Sequence, residues 1–184
     1  MNVHEQQEVL RSIEILVDTR EQPTKRAMKR YERFGCPYCR CTLSYGDYSY
    51  NATLPDGTKL YDPAATVLPA CVVERKMSLD ELAACFCKGR SRFTKEFERA
   101  REQGARIYLI VENASWENLL NGKYRTKMDA KAFSASVVAF MVRFNLNIIF
   151  CKEETSGDLI KEILYRDGSE CVIQNGAPHS CFCT

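Results

Sequence analysis

The stretch Cys71-Val72-Val73-Glu74-Arg75-Lys76-Met77-Ser78-Leu79-Asp80 constrains the fold more than any other part of the chain. It opens on an apolar, β-branched run suited to a buried strand and closes on a cluster of charge. In a strand, successive side chains alternate between faces. Val72, Glu74 and Lys76 then share one face, and Cys71, Val73 and Arg75 share the other. An acid and an amine at the end of a buried strand are costly unless paired or put to use. Ser78, followed by Glu81, forms a capping box that opens a helix.

The rest of the chain alternates in the same way. Ile13 to Asp18, Ala105 to Glu112 and Asn147 to Cys151 read as strands, the first two ending in an acid. A basic helix is expected from Pro23, placed at the first helical position, to Phe34, with Gly35 as its stop. Leu43 to Tyr50 reads as a further strand with Leu43, Tyr45 and Asp47 on one face. Asn51 to Pro69, rich in Pro, Gly, Asp and Asn, reads as a hairpin or long surface loop. Helices are expected from Ser78, over Ser91 to Gln103, Ser115 to Leu120, Met128 to Phe144 and Ser156 to Tyr165. Such alternation argues for an α/β domain with a mixed sheet covered by helices. The chain of 184 residues divides into an N-terminal extension (1–12), one domain (13–167, with residues 51–69 as an insertion) and a C-terminal tail (168–184).

Net charge is only +2, but cations concentrate between Arg20 and Arg40 and between Lys88 and Arg106. Local basic segments in a near-neutral chain suit an anionic partner such as nucleic acid. Residues 1–9 lack the apolar core of a signal peptide, and no run approaches the roughly 20 apolar residues of a membrane helix. The expectation is a protein of the cytoplasm, or of the nucleus in a eukaryote, without a membrane partner. Ten cysteines then read as reduced thiols. Cys36, Cys39 and Cys41, with Cys181 and Cys183, have ligand-like spacing for zinc, against which stands their reading as small buried hydrophobes.

Asp18, Asp47, Glu74 and Glu112 fall at or near strand ends, where open α/β sheets build their sites. Carboxylates and a lysine converging there suit magnesium or manganese, which prefer oxygen ligands. His4 and His179 are the only histidines, which argues against a histidine-based hydrolase. A plain Glu74–Lys76 ion pair would also account for the spacing.

Val17-Asp18-Thr19-Arg20-Glu21, then Gly46-Asp47, then Glu74-Arg75-Lys76 with Asp80 four residues beyond Lys76, together resemble the XPF-type structure-specific nuclease domain. That family lies within the restriction-endonuclease-like superfamily. The resemblance implies a three-layer α/β fold, with a central mixed β-sheet flanked by helices, and a Mg2+- or Mn2+-dependent endonuclease acting on branched, flapped or forked DNA. Carried over by position, Asp18, Asp47 and Glu74 would lie at the metal site, with Asp47 and Glu74 as the direct ligands; Lys76 would position the attacking water, and Asp80, in the first helical turn, would either support catalysis or simply be a residue favoured by the helix dipole. Arg20 and Arg75 would hold phosphate or order the carboxylates, Glu21 would back them up, and Arg90, Arg92 and Lys95 would contact the DNA backbone. The 51–69 insertion is longer than the family pattern, and no helix-hairpin-helix pair follows, so a homodimer or a DNA-binding partner would have to supply junction selectivity. The competing expectations are a catalytically inactive DNA-binding or scaffolding module and a restriction- or resolvase-like nuclease.

Overall fold

The computed structural model describes residues 1–175. Among them run α1 (Val3–Arg11), β1 (Glu14–Asp18), α2 (Lys25–Glu32), β2 (Tyr38–Cys41), β3 (Tyr48–Asn51), β4 (Cys71–Lys76), α3 (Leu79–Cys87), α4 (Arg90–Glu102), β5 (Arg106–Glu112), α5 (Trp116–Leu120), α6 (Ala130–Phe144), β6 (Asn147–Cys151) and α7 (Ser156–Asn175). Side-chain oxygens cap the helices that the sequence marks: Ser78 opens α3, Ser115 opens α5 and Asp129 opens α6.

The strands form one six-stranded sheet in the order β2-β1-β3-β4-β5-β6. β1 lies parallel to β2, and β4, β5 and β6 run parallel to one another. β3 is antiparallel to both β1 and β4, which makes the sheet mixed. The alternation read from Cys71 to Lys76 divides the core. Val72 packs with Leu82, Phe86, Phe93, Phe97 and Phe140 under α3, α4 and α6. Cys71 and Val73 pack with Ile15, Tyr31, Phe34, Ile160 and Leu164 under α2 and α7. Each face buries its apolar stripe against a helical layer, the three-layer arrangement expected from the sequence.

Four expectations need correction. Leu43 to Asp47 is not strand: β2 ends at Cys41, a bent segment follows, and β3 starts only at Tyr48. Gly46 adopts φ +72°, which breaks the strand there. Pro23 is not the first residue of α2, because Thr24 is the cap and accepts from the Ala27 N–H. Residues 1–12 are no mere extension, since α1 forms with a capping box at Asn2 and buries Val9 in the core. The last helix does not stop at Tyr165 but runs through Gly168, with Cys171 and Val172 buried. Gly168 is tightly packed there, a Cβ lying 3.0 Å from the Tyr50 ring. Cys181 and Cys183 lie outside the described residues.

The 51–69 segment folds back on the domain as a loop. Leu60 and Val67 are buried, Leu43 and Val67 form an isolated bridge, and the Asn51 side chain bonds both N–H and C=O of Tyr61.

Gly46 fixes the approach of Asp47 to β4. A Cβ at this position would lie 2.8 Å from Val72 Cβ, on top of the positive φ. Left-handed backbone costs a non-glycine residue about 1–2 kcal/mol, and overpacking adds about 1–3 kcal/mol. Gly46→Ala is expected to lower stability by about 2–5 kcal/mol, read from the midpoint of urea unfolding followed by circular dichroism. A midpoint equal to the parent's would show that the segment relaxes freely.

Candidate active site

The end of β4 carries two different environments, one on each face. On the α3/α4 side, Glu74 is buried and its Oε1 accepts from Lys76 Nζ. Its Oε2 is buried too and has no hydrogen-bond partner among the described residues. Asp47 enters from the turn before β3. Its N–H donates to Val73 O at 3.0 Å, its C=O accepts from Asp18 N at 2.9 Å, and its Oδ2 accepts from Arg75 N at 2.8 Å. Oδ1 has no hydrogen-bond partner among the described residues. Burial pushes the Asp47 carboxyl well above the usual carboxylate range, and the charge of Glu74 pushes the same way. Burial likewise raises Glu74, with Lys76 opposing and Glu96 adding to the rise. For Lys76, burial alone would favour the neutral amine; Glu74 and Asp47 override it and hold the amine charged. The Lys76 amine also sits 5.5 Å from the centroid of the Phe93 ring.

Asp18 is buried, but its carboxylate is fully engaged. Oδ1 accepts from Arg20 N at 2.7 Å and Arg20 Nε at 2.6 Å, and Oδ2 from Leu43 N at 2.8 Å and Arg20 Nη2 at 3.2 Å. Arg20 also donates to Leu43 O. Asp18 therefore braces the 43–47 bend, and Asp47 and Glu74 are the two acids of the expected set that keep an oxygen without a hydrogen-bond partner among the described residues. Among the described residues no three His, Cys, Asp or Glu side chains group closely enough to hold an ion by themselves. Asp80 also turns away from the pair. It accepts from Arg125 N, Arg125 Nε and Thr126 N, which ties the first turn of α3 to the loop after α5.

The other face of β4 holds an ionic network. Glu112, fully buried at the end of β5, accepts from Arg75 Nη1 at 3.0 Å and Arg30 Nη2 at 3.2 Å. Arg30 also bonds Ser156 Oγ and Tyr48 Oη, while Tyr48 donates to Glu21 at 2.8 Å. Glu21 lies 3.8 Å from Arg30 and 3.7 Å from Arg75. Glu112 is thus the counter-ion of two arginines, on the opposite side of the sheet from Glu74. The sequence reading missed Arg30, which looked like one more cation of a basic helix. Its spacing from Ala27 and Phe34, inside the inward stripe of α2, is the signal that separates it. Glu96 was missed as well. It sits between Phe93 and Phe97 on the buried side of α4 and accepts from Gly46 N at 3.1 Å.

Arg90, Arg92 and Lys95 are exposed on α4 and pair with nothing among the described residues. Tyr45, Tyr48 and Tyr50 are all buried, so they pack and do not present faces for stacking. Cys41 is buried in the sheet, and Cys36 and Cys39 are partly so.

The model of the family described as "ERCC4 domain" matches residues 17–163, which spans both faces of this site. The chain belongs to the ERCC4 domain family. Among solved structures, XPF from Aeropyrum pernix matches at TM-score 0.54 and 18% identity, over 82% of this chain and 59% of that one. XPF from Aeropyrum pernix in complex with DNA matches at TM-score 0.56 and 20% identity, over 85% of this chain and 65% of that one. The ERCC4 domain here has the XPF nuclease fold and spans less than two thirds of those chains. No curated protein matches the sequence. Among the described residues, no helix of this ERCC4 domain is long and apolar enough to cross a membrane.

Removing the shared acid would strand two cations in the core of the ERCC4 domain. Breaking a buried pair by deleting one partner costs about 3–5 kcal/mol. Glu112→Ala is expected to destabilise by that amount in urea unfolding. Glu112→Gln, which keeps the volume and one accepting oxygen but sets an NH2 donor against the other arginine, should recover only part of it. A loss below about 1 kcal/mol for Glu112→Ala would show that water already neutralises the network.

Proposed function

We propose that this domain is a divalent-metal-dependent endonuclease that hydrolyses DNA phosphodiesters, with branched or flapped DNA as its substrate. The observation that carries the reading is the buried, unpartnered Oε2 of Glu74 beside the free Oδ1 of Asp47. A buried polar atom left without a partner calls for an explanation, and two carboxylates whose proton affinity stays raised beside the single charge of Lys76 would be stabilised by further positive charge. The donor set fits magnesium or manganese. Such ions take hard oxygen ligands and are commonly held by one or two carboxylates, the remaining positions going to water and substrate phosphate. Asp47 and Glu74 would hold the ion; bound there, it would polarise a phosphoryl oxygen and lower the pKa of a water.

The chain's own groups supply the rest. Lys76 reaches the site with its amine on Glu74 Oε1. There it would orient the nucleophilic water and offset the negative charge that develops in the transition state. Arg75 holds Asp47 through its backbone N–H. Asp18 and Arg20 fix the bend that presents Asp47. Arg90, Arg92 and Lys95 offer charge to backbone phosphates, which position a duplex without reading its sequence. The related fold in complex with DNA, XPF from Aeropyrum pernix, supports nucleic acid as the partner.

The test is incubation with duplex, single-stranded, flap, fork and four-way DNA in magnesium, manganese or chelator. Nicking should need metal and favour branched substrates. Asp47→Ala, Glu74→Ala and Lys76→Ala should each lower the cleavage rate by about 100-fold or more, the scale of losing one electrostatic contact to the transition state, while DNA binding persists. Cleavage indifferent to chelator would remove the metal mechanism. Full activity in Lys76→Ala would remove that lysine from the chemistry.

The α4 cations give a separate prediction. Each phosphate contact contributes about −0.9 to the slope of log affinity against log salt. Replacing Arg90, Arg92 and Lys95 together by Gln should make the slope for duplex DNA shallower by about 2–3 in an anisotropy titration. An unchanged slope would mean that these side chains stay solvated in the complex.

A further inference from the structure

Helix α4 grips the bend that carries Asp47. Phe93, Phe97 and Ala100 are its buried stripe. Glu96 and Arg99, three residues apart and so on one side of the helix, both reach the 43–47 bend. Glu96 Oε1 accepts from the Gly46 N–H at 3.1 Å, and Arg99 Nη2 donates to Ser44 O at 3.2 Å. Arg99 is exposed, but the Glu96 side chain is only 15% exposed. Glu96 Oε2 has no hydrogen-bond partner among the described residues.

Gly46 is the point at which such a grip matters. It takes φ +72° and, lacking a side chain, is the least restricted residue of the bend. Asp47 follows it directly. The N–H groups of Leu43, Ser44 and Asp47 are taken by Asp18, Val67 and Val73. That of Gly46 is taken by Glu96, from a helix 50 residues further along the chain. A cavity of about 10 Å3, lined by Gly46, Glu74, Glu96 and Phe97 among others, separates α4 from β4 here. That is about the space of a single water, so helix, bend and strand meet with little slack. Among the described residues no three acids group closely enough to share an ion. Glu96 therefore reaches the Asp47–Glu74 pair through Gly46 and not as a third ligand.

We propose that Glu96 is a positioning residue for the metal site: by holding the Gly46 N–H it sets how Asp47 presents Oδ1 beside Glu74. Groups that orient the ligands of a metal without touching it commonly govern its affinity. The proposal rests on the reading of Asp47 and Glu74 as the acids that hold a divalent ion. It adds that the cation affinity of a site built on β4 and the bend is set from α4.

The test titrates Mn2+ into the full chain without DNA, free Mn2+ being read by electron paramagnetic resonance. Glu96→Ala should weaken Mn2+ binding by about 10–100-fold. Alanine suits a helix interior, and circular dichroism checks that the variant folds. Glu96→Gln keeps an oxygen for the Gly46 N–H and sets its NH2 where Oε2 stands, against no donor among the described residues. It should recover most of the affinity. Mn2+ binding by Glu96→Ala as tight as the parent's overturns the proposal, however far its unfolding midpoint falls, and leaves Glu96 a structural contact only. Binding by Glu96→Gln as weak as that of Glu96→Ala also overturns it, because the charge of Glu96 and not its bond to Gly46 would then act on the ion. A parent that binds no Mn2+ sinks the metal reading itself and this proposal with it, so the two failures are told apart by the parent alone.

Discussion

The end of β4 places three consecutive charged side chains against two packed cores, and the surrounding structure is arranged to accommodate them. A charge removed from water must be neutralised by a partner, by a hydrogen-bonding shell or by a shift in protonation. On the Arg75 side the chain supplies the partners itself. Glu112 arrives on the neighbouring parallel strand, Arg30 from α2 and Glu21 from the segment between. On the Glu74 side compensation stops half-way. Lys76 neutralises one carboxylate, Asp47 brings a second, and one oxygen of each is left over. The two faces of one strand thus differ in kind: on one, every charge has a counter-ion, although Arg75 Nε makes no hydrogen bond; on the other, two acids keep unpartnered oxygens.

Much of this was legible in the sequence because it depends on local periodicity. The two-residue repeat from Cys71 to Lys76 placed Glu74 with Lys76 and put Arg75 opposite, and the sheet bears that out through separate cores on Val72 and Val73. Ser78 marked the start of α3, and the alternation of strands and helices gave the mixed sheet. Motif order indicated the family that residues 17–163 match. The errors arose where conformation is set by long-range contact. Leu43 to Asp47 has strand-like alternation, yet Asp18 captures the Leu43 N–H and Gly46 turns left-handed to clear Val72. Asp18 itself looked like a ligand from its place at a strand end; only the side-chain bonds from Arg20 and Leu43 show it committed elsewhere. No periodic signal carries α7 past Tyr165, because the turns that follow are held by residues far away in sequence, Tyr50 and Arg106 among them.

A buried network such as Arg30–Glu112–Arg75 is weak evidence of stability, since apolar residues of the same volume often serve a core as well or better. Its position suggests another physical consequence. Arg75 is held at its guanidinium by Glu112, and its backbone N–H is the group that binds Asp47 Oδ2. Asp47 is then fixed at three points: its own N–H on Val73, its C=O on Asp18 and one carboxylate oxygen on Arg75. None of the three uses Oδ1. The bonds that hold the acid in place are made by strand backbone, which moves little, and not by long side chains that must give up rotamer freedom. Asp47, which spends one oxygen on the backbone frame and keeps the other for a ligand, is preorganised at little cost in flexibility. The ionic network on one face and the unsaturated pair on the other are therefore mechanically linked through a single strand. Mutations that loosen Arg30 or Glu112 act on Asp47 without touching it.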